Sequence, residues 1–319
     1  MRRFIREHIS SKLALGSAMD DSAILNLPQK QLAMTTDSFV VSPLFFPGGN
    51  IGSLAVHGTV NDLAVAGAQP IAISLALILE EGLEISLLEN VLESLRNAAE
   101  ACNVTICTGD TKVVQRGAVD KLFINTTGVG CLQTKFALSS ANVRAGDELI
   151  VSGPIGQHGM AVLCAREDLK LVPTPISDSA PLHQECSALL LGLGANLRCM
   201  RDATRGGISA VLHEWAMDAQ LSMQIDESRI PVSAEVRGAC ELLGLDPLYV
   251  ANEGTMLIAV ARDHSVRALE VLRQLNPATK AAIIGQVVPA LSAPVVIRRL
   301  HGALIPVDEP QGAPLPRIC

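Results

Sequence analysis

Short branched aliphatic runs alternate with helix-period segments along nearly the whole chain, and this alternation confines the fold to layers of helix on sheet. Gln31–Thr36 and Phe39–Val41 read as strand material around Asp37, with Ile71–Leu79 and Leu122–Val129 as further strands. Gly52–Ala66 reads as a buried Ala/Val-rich helix stopped by Gly67 and Pro70. Ile85, Leu88, Leu92, Leu95 and Ala99 form one face of an amphipathic helix, and Ser86 and Glu89 have the spacing of a capping box. Val104–Cys107 reads as a strand that ends in the Thr108-Gly109-Asp110-Thr111 loop. A polar turn, Arg144-Ala145-Gly146-Asp147, then precedes the strand Leu149–Val151. Beyond it come a helix at Met160–Arg166 and one opened by Thr204-Arg205-Gly206-Gly207, whose stripe is Ile208, Val211, Leu212 and Trp215. Strands Leu257–Val260 and Ala282–Ile284 flank a helix at Val266–Leu275. The class is α+β, in two domains, 1–145 and 146–305, followed by a Pro-rich tail over 306–319.

Composition narrows the function classes. Hydrophobic residues make up 49% and aromatics only 3%, so the core is ample and aliphatic. A net charge of −7 without a dense Lys/Arg cluster argues against a nucleic-acid partner. The longest apolar stretch, Ile71–Leu79, is interrupted by Ser74 and is far too short for a membrane span. Met1–Glu7 lacks the apolar run of a signal peptide. None of the 8 cysteines forms a C-x-x-C pair, which speaks against a disulfide framework or a zinc site. The expectation is a reduced, soluble, cytoplasmic protein.

Chemistry-bearing residues concentrate in a few strings. The chain ends Pro316-Arg317-Ile318-Cys319 after Pro306, Pro310, Gly312 and Pro314. Such a run favours extended backbone and reaches roughly 35 Å from Asp308, at about 3.1 Å per residue. It suits a swinging arm tipped with a thiol, and equally an ordinary frayed end. The α-carboxylate of Cys319 should raise its thiol pKa, and Arg317 should offset part of that rise. Aspartates recur at element ends: Asp20-Asp21, Asp37, Asp62, Asp110 and Asp202. Each suits a cap or turn; taken together they suit Mg²⁺ bridging phosphate oxygens. Asp62 stands out because it interrupts an apolar helix, where a lone carboxylate is costly. Gly206-Gly207 at a helix start, beside Arg201 and Arg205, offers anion-binding N–H groups. Gly153-Pro154-Ile155-Gly156-Gln157-His158-Gly159 is a weaker, turn-like loop. Lys112 reads as a phosphate contact or a surface lysine, Glu253 as a general base or a turn residue. His57, in an apolar helix, reads as a core histidine.

Several strings resemble one family. They are Thr36-Asp37-Ser38, Pro43 through Gly52, Thr108 through Val114, Asp202 through Gly207, Ala251-Asn252-Glu253-Gly254 and Pro316-Arg317-Ile318-Cys319. Together they are similar to the HypE family of hydrogenase maturation proteins. That family sits in the ATP-using superfamily of aminoimidazole ribonucleotide synthetase and selenophosphate synthetase. The resemblance implies an N-terminal domain that binds ATP and pairs with its twin in a homodimer. It also implies an ATP-dependent dehydration. A carbamoyltransferase, HypF, loads a carbamoyl group on Cys319, the arm folds inward, and ATP phosphorylates the thiocarbamate oxygen. Loss of phosphate leaves a thiocyanate, whose cyano group passes to iron on a HypC–HypD complex for a [NiFe]-hydrogenase.

By the same resemblance Cys319, Lys112 and Glu253 are the catalytic residues. Thr36, Asn61, Gly109, Asp110, Thr111, Thr204, Arg205, Gly206 and Gly207 would bind the nucleotide. Asp21, Asp37, Asp62, Asp110 and Asp202 would hold Mg²⁺. The sequence departs from the family pattern in having no His-Gly-Ser-Gly-Gly string. A selenophosphate-synthetase type of enzyme and a carbamoyl carrier without catalysis are the competing readings.

Overall fold

A computed structural model describes residues 23–26, 31–310, 315 and 317–319, so Asp20 and Asp21 lie outside the described residues. In the first half, β1 (Ala23–Asn26) and β2 (Gln31–Phe39) precede a small hairpin of β3 (Phe45–Phe46) and β4 (Gly49–Asn50). Then follow α1 (Ile51–Val65), β5 (Ala68–Glu80), α2 (Ile85–Ala101), β6 (Thr105–Val114) and β7 (Leu122–Leu132). The sheet order is β1-β2-β7-β5-β6, antiparallel except for the parallel β5–β6 pair, whose crossover is α2.

The second half contains β8 (Glu148–Val151), α3 (Gln157–Arg166), α4 (His183–Leu193), β9 (Leu197–Asp202) and α5 (Gly207–Ala219). It continues with β10 (Ser222–Asp226), α6 (Ala234–Leu243), β11 (Met256–Val260) and α7 (Ser265–Leu275). It ends with β12 (Ala282–Val288), β13 (Val295–Arg298) and β14 (Leu304–Pro306). Its sheet order is β14-β13-β10-β12-β8-β11-β9. β11 is buried at every position, covered by an α4–α7 core on one side and an α5 core on the other. Both cores are aliphatic, as the near absence of aromatics requires. No described helix is long and apolar enough to cross a membrane.

α1 carries the site. It packs on β2, β5 and β7, against α2, and also against α4 and β9 of the other half. A helix walled on all sides must be apolar on all sides, which is why the sequence shows no stripe there. Asn50 caps it by accepting from the N–H groups of Gly52 and Ser53, and the Ser53 hydroxyl accepts from Asn50 N–H in return. The capping box therefore belongs to α1. At α2 the N-cap is Glu84 without a side-chain bond, because the helix starts one residue before Ser86.

β6 differs most from expectation. It does not stop at Cys107 but runs through Thr108-Gly109-Asp110-Thr111-Lys112 to Val114. An edge strand needs only one neighbour, and pairing with β5 sustains it although its side chains are mostly exposed. The structure also contains α4, α6, β9, β10, β13 and β14, which were not read from the sequence; α6 does bury Val236, Ala239 and Cys240 at helical spacing.

Candidate active site

The last residues of the chain lie against its interior. Val40 N–H donates to the Cys319 main-chain oxygen (3.1 Å) and Ser42 N–H to the Arg317 carbonyl (3.3 Å), extending the line of β2 by a strand-like contact. Arg317 adopts φ +55, and its guanidinium donates to Val40 O (3.1 Å) and Asp120 (2.8 Å) while lying 5.9 Å from the Phe123 ring centre. Arg166 donates to the carbonyls of Ser42 and Arg317. Ile318 is only 3% exposed, in the core formed by Phe39, Val41, Leu44 and Phe46. A fully buried His158 donates from Nε2 to the Ile318 carbonyl at 2.8 Å.

This seat brings the Cys319 thiol beside an acidic cluster. Burial pushes the thiol pKa far up, Glu253 adds to the rise, Arg205 opposes it, and Asp37 and Asp202 add more. The rise expected from the sequence is present, but its causes are burial and Glu253 rather than the α-carboxylate. The offsetting cation is Arg205, since Arg317 is spent on Asp120. Asp202 is raised to about 6 by burial, with Arg201 lowering it and Asp37 and Glu214 raising it. Asp37 is raised by burial against the Ser38 N–H and Arg205.

Glu253 is the focus. Its Oε1 is buried with no hydrogen-bond partner, and burial followed by Asp202, Asp37 and Asp178 raises its pKa well above the carboxylate range. Its main chain is fixed from three sides. Asp178 accepts from the N–H groups of Glu253 (3.2 Å) and Gly254 (3.1 Å). Asn61, on α1, donates to the carbonyls of Glu253 (3.2 Å) and Ala180 (3.0 Å) and accepts from Leu182 N–H (2.7 Å). The neighbouring Asn252 donates to Ala203 O (2.8 Å) and accepts from Gly156 N–H (2.7 Å). Gly254 is required by proximity, because a Cβ there would sit 1.8 Å from the Asp178 carbonyl oxygen.

The expected site residues divide into two groups. Cys319, Glu253, Asp37, Asp202 and Arg205 come together, with Thr204, Gly206 and Gly207 at the α5 N-terminus adjoining Asp202 in sequence. Gly206 and Gly207 are both left-handed (φ +78 and +59), and a Cβ on Gly207 would press within 2.5 Å of Leu248 O. Asp62 accepts from Thr35 Oγ1 at 2.6 Å, which accounts for a carboxylate in an apolar helix. Thr36 is exposed on β2 and donates to Thr126 O. Asn61 uses its amide as a clamp between α1 and the second half. Arg201 pairs with Glu214 at 3.5 Å rather than facing outward as an anion contact.

Gly109, Asp110, Thr111 and Lys112 lie exposed on β6 and are not brought to the cluster within one chain. Two strands separate β6 from β2, so the two are about 14 Å apart across the sheet. His57 is half-buried, contacts Ser179 Oγ at 3.2 Å, and is lowered to about 4 by burial and His183. Three contributors were not read from sequence: Asp178, Arg166 and His158. Asp178 sits among small polar residues with no period to mark it. His158 lies in the glycine-rich loop, where its neighbours read only as turn geometry.

The donor set fits a phosphate-bridged Mg²⁺. Among the described residues no group of three or more His, Cys, Asp or Glu is arranged to hold a metal by itself. Mg²⁺ commonly takes one or two carboxylates and completes its shell with phosphate oxygens and water. Asp37 and Asp202, mutually repelling and both raised in pKa, supply such a pair.

Residues 19–132 match the family AIR synthase related protein, N-terminal domain, and residues 144–296 its C-terminal domain. The carbamoyl dehydratase HypE of Escherichia coli (strain K12) is 46% identical over 305 residues, covering 94% of this chain and 90% of that protein. A solved HypE–HypF complex superposes with a TM-score of 0.91 at 41% identity, covering 96% of this chain and 99% of that one. HypE solved in complex with ATP superposes with a TM-score of 0.86 at 41% identity, covering 99% and 96%. Relatives this similar, matched over nearly the whole length of both chains, leave one assignment. The chain belongs to the HypE family of carbamoyl dehydratases, built from the two AIR synthase related domains.

Proposed function

We propose that this protein dehydrates a carbamoyl group carried on Cys319, at the expense of ATP, to give a thiocyanate. The observation that carries the reading is the unpartnered, buried Glu253 carboxyl beside an inward-held Cys319. A HypF-type carbamoyltransferase loads the thiol, in line with the HypE–HypF complex known for a relative. The loaded S–C(=O)–NH₂ oxygen then attacks the terminal phosphorus of ATP. The S–C oxygen–phosphorus bond forms, ADP leaves, and one N–H proton is lost, giving S–C(=NH)–OPO₃. Breaking the C–O bond releases phosphate with the second N–H proton and leaves S–C≡N.

This chain's residues have distinct tasks. Glu253 takes the first N–H proton, and the second leaves with the phosphate. Its carboxylate, kept out of water and near Asp202 and Asp37, has the raised proton affinity that a weakly acidic N–H demands. The α5 N-terminus, with the Gly206 N–H and Arg205, holds the phosphates, while the Gly207 N–H closes the turn on the Thr204 carbonyl. Asp37 and Asp202 would hold Mg²⁺, which neutralises charge on the phosphates when bound.

The exposed run Gly109-Asp110-Thr111-Lys112, with Thr36, serves the nucleotide of a second copy in a homodimer. The same sheet face leaves Met34, Ile71 and Ile78 exposed, an apolar surface that a twin sheet would cover. The two units, 1–145 and 146–305, then meet at the site through α1. The cyano group passes to iron on a HypC–HypD complex, a step that rests on family membership alone.

The test is Glu253→Gln, assayed by intact mass with HypF, carbamoyl phosphate and ATP-Mg. The expected variant gains the carbamoyl mass at the wild-type rate and loses water about 10²–10⁴ times more slowly. Water loss at the wild-type rate removes Glu253 from the chemistry.

A further inference from the structure

The tail seat contains one group that the chemistry leaves unused, His158. It lies in the first turn of α3, is wholly buried, and makes a T-shaped contact with Phe46 at 5.2 Å between ring centres. A carbonyl can only accept, so Nε2 carries the proton in the 2.8 Å bond to Ile318 O. Nδ1 then accepts from the Ser177 hydroxyl, also at 2.8 Å. Ser177 Oγ accepts in turn from Ser179 N–H (3.1 Å), and Ser177 N–H donates to Pro47 O (2.9 Å). The tautomer is therefore fixed by the docked tail carbonyl, and the rotatable Ser177 hydroxyl, able to donate or accept, adapts to it. The next residue, Asp178, holds the N–H groups of Glu253 and Gly254. One ring thus joins the carbonyl that precedes Cys319 to the segment that orients Glu253.

We propose that His158 is the positioning residue that selects the inward tail, donating from Nε2 to the Ile318 carbonyl. Leaving the seat breaks that bond, which favours the tail's return. The role is geometric, and the ring exchanges no proton with substrate. The contact recognises main chain rather than side chain, so a carbamoyl group on Cys319 leaves it intact, and loaded and empty tails are held alike. This inference rests on the proposed dehydration only where water loss is the readout.

The experiment uses the full-length protein and needs neither ATP nor HypF for its first arm. Cys319 alkylation by iodoacetamide is followed by peptide mass for wild type, His158→Leu and His158→Gln. The leucine cannot donate, whereas the glutamine amide reaches about where Nε2 lies. The expected result is alkylation about tenfold faster in His158→Leu, the worth of one buried hydrogen bond, and a return toward wild type in His158→Gln. In the second arm, HypF loading of His158→Leu proceeds at least as fast as in wild type. Water loss at saturating ATP changes little, because a tail held mostly inward stays mostly inward after a tenfold weakening, and the KM for ATP is unchanged.

Equal alkylation of all three proteins, or equal rates for the Leu and Gln variants, overturns the proposal. Should His158→Leu fail to fold, Ser177→Ala removes the hydroxyl that satisfies Nδ1 while Nε2 donates to the tail. Faster Cys319 alkylation in that variant supports the assignment, and an unchanged rate overturns it. If wild type alkylates slowly and the variants follow the expected order, yet loaded wild type never loses water, the latch stands and the dehydratase reading falls.

Discussion

At the scale of the residue, the site is built by holding one carboxyl in place without giving it a partner. Glu253 has its N–H on Asp178 and its carbonyl on Asn61, while Oε1 is left open. The clamp has a measurable consequence. Asn61→Ala leaves the Leu182 N–H and the Ala180 carbonyl unmatched and the Glu253 carbonyl with only the long bond from Ala180 N–H, and unfolding in urea should show a loss of about 3 kcal/mol. Unchanged stability with lost ATP binding would return Asn61 to the nucleotide.

Asp37, Asp202, Glu253 and Cys319 were legible in the sequence because each stands in a distinctive short string. Asp178 and His158 were not, because their meaning lies in partners far along the chain: Asp178 to Glu253, His158 to Ile318. The raised thiol pKa was expected for a local reason, and burial of the docked thiol, followed by Glu253 from a distant element, turned out to be the cause.

At the scale of the element, burial of His158 has a pH signature. Its pKa falls from 6.5 to about 4, chiefly through burial, with the Ile318 carbonyl bond holding it partly up. Between those values the unfolded chain binds the extra proton and the folded one does not, so stability rises with pH. The contribution is complete above 6.5 and is lost as pH falls toward 4, to a limit of about 3 kcal/mol. Denaturation at pH 7 and pH 4.5 should show His158→Gln losing markedly less stability on acidification than wild type. His57, lowered by the same cause, keeps part of the effect in the variant. An identical acid loss in both proteins would show that His158 is solvated in the folded state.

Elements with a clean period, such as α2, β7 and α5, could be read from sequence. β6 could not, since its exposed side chains show no alternation and only its neighbour β5 makes it a strand. The tail was legible as extended but not as docked. Its anchors are mostly main-chain bonds, to Val40, Ser42 and His158, and such bonds leave no mark on composition.

At the scale of the whole molecule, two sheets share a helix. α1 touches both halves, and Ala64 and Val65 at its end join Ile150, Leu189 and Ile258 in one core. The outer face of the first sheet remains apolar at Met34, Ile71 and Ile78. Sedimentation at micromolar concentration should give a dimer for wild type and a monomer for Met34→Lys combined with Ile78→Lys. Persistence of the dimer in that variant would place the interface elsewhere and separate Lys112 from the second copy's nucleotide.

The most direct measurement is intact-mass spectrometry of wild type and Cys319→Ala over time, with HypF, carbamoyl phosphate and ATP-Mg. Wild type is expected to gain a carbamoyl mass and then lose one water only with hydrolysable ATP, and Cys319→Ala to gain nothing. A loaded wild type that never loses water would make the protein a carrier, and an adduct on Cys319→Ala would move the chemistry away from the tail.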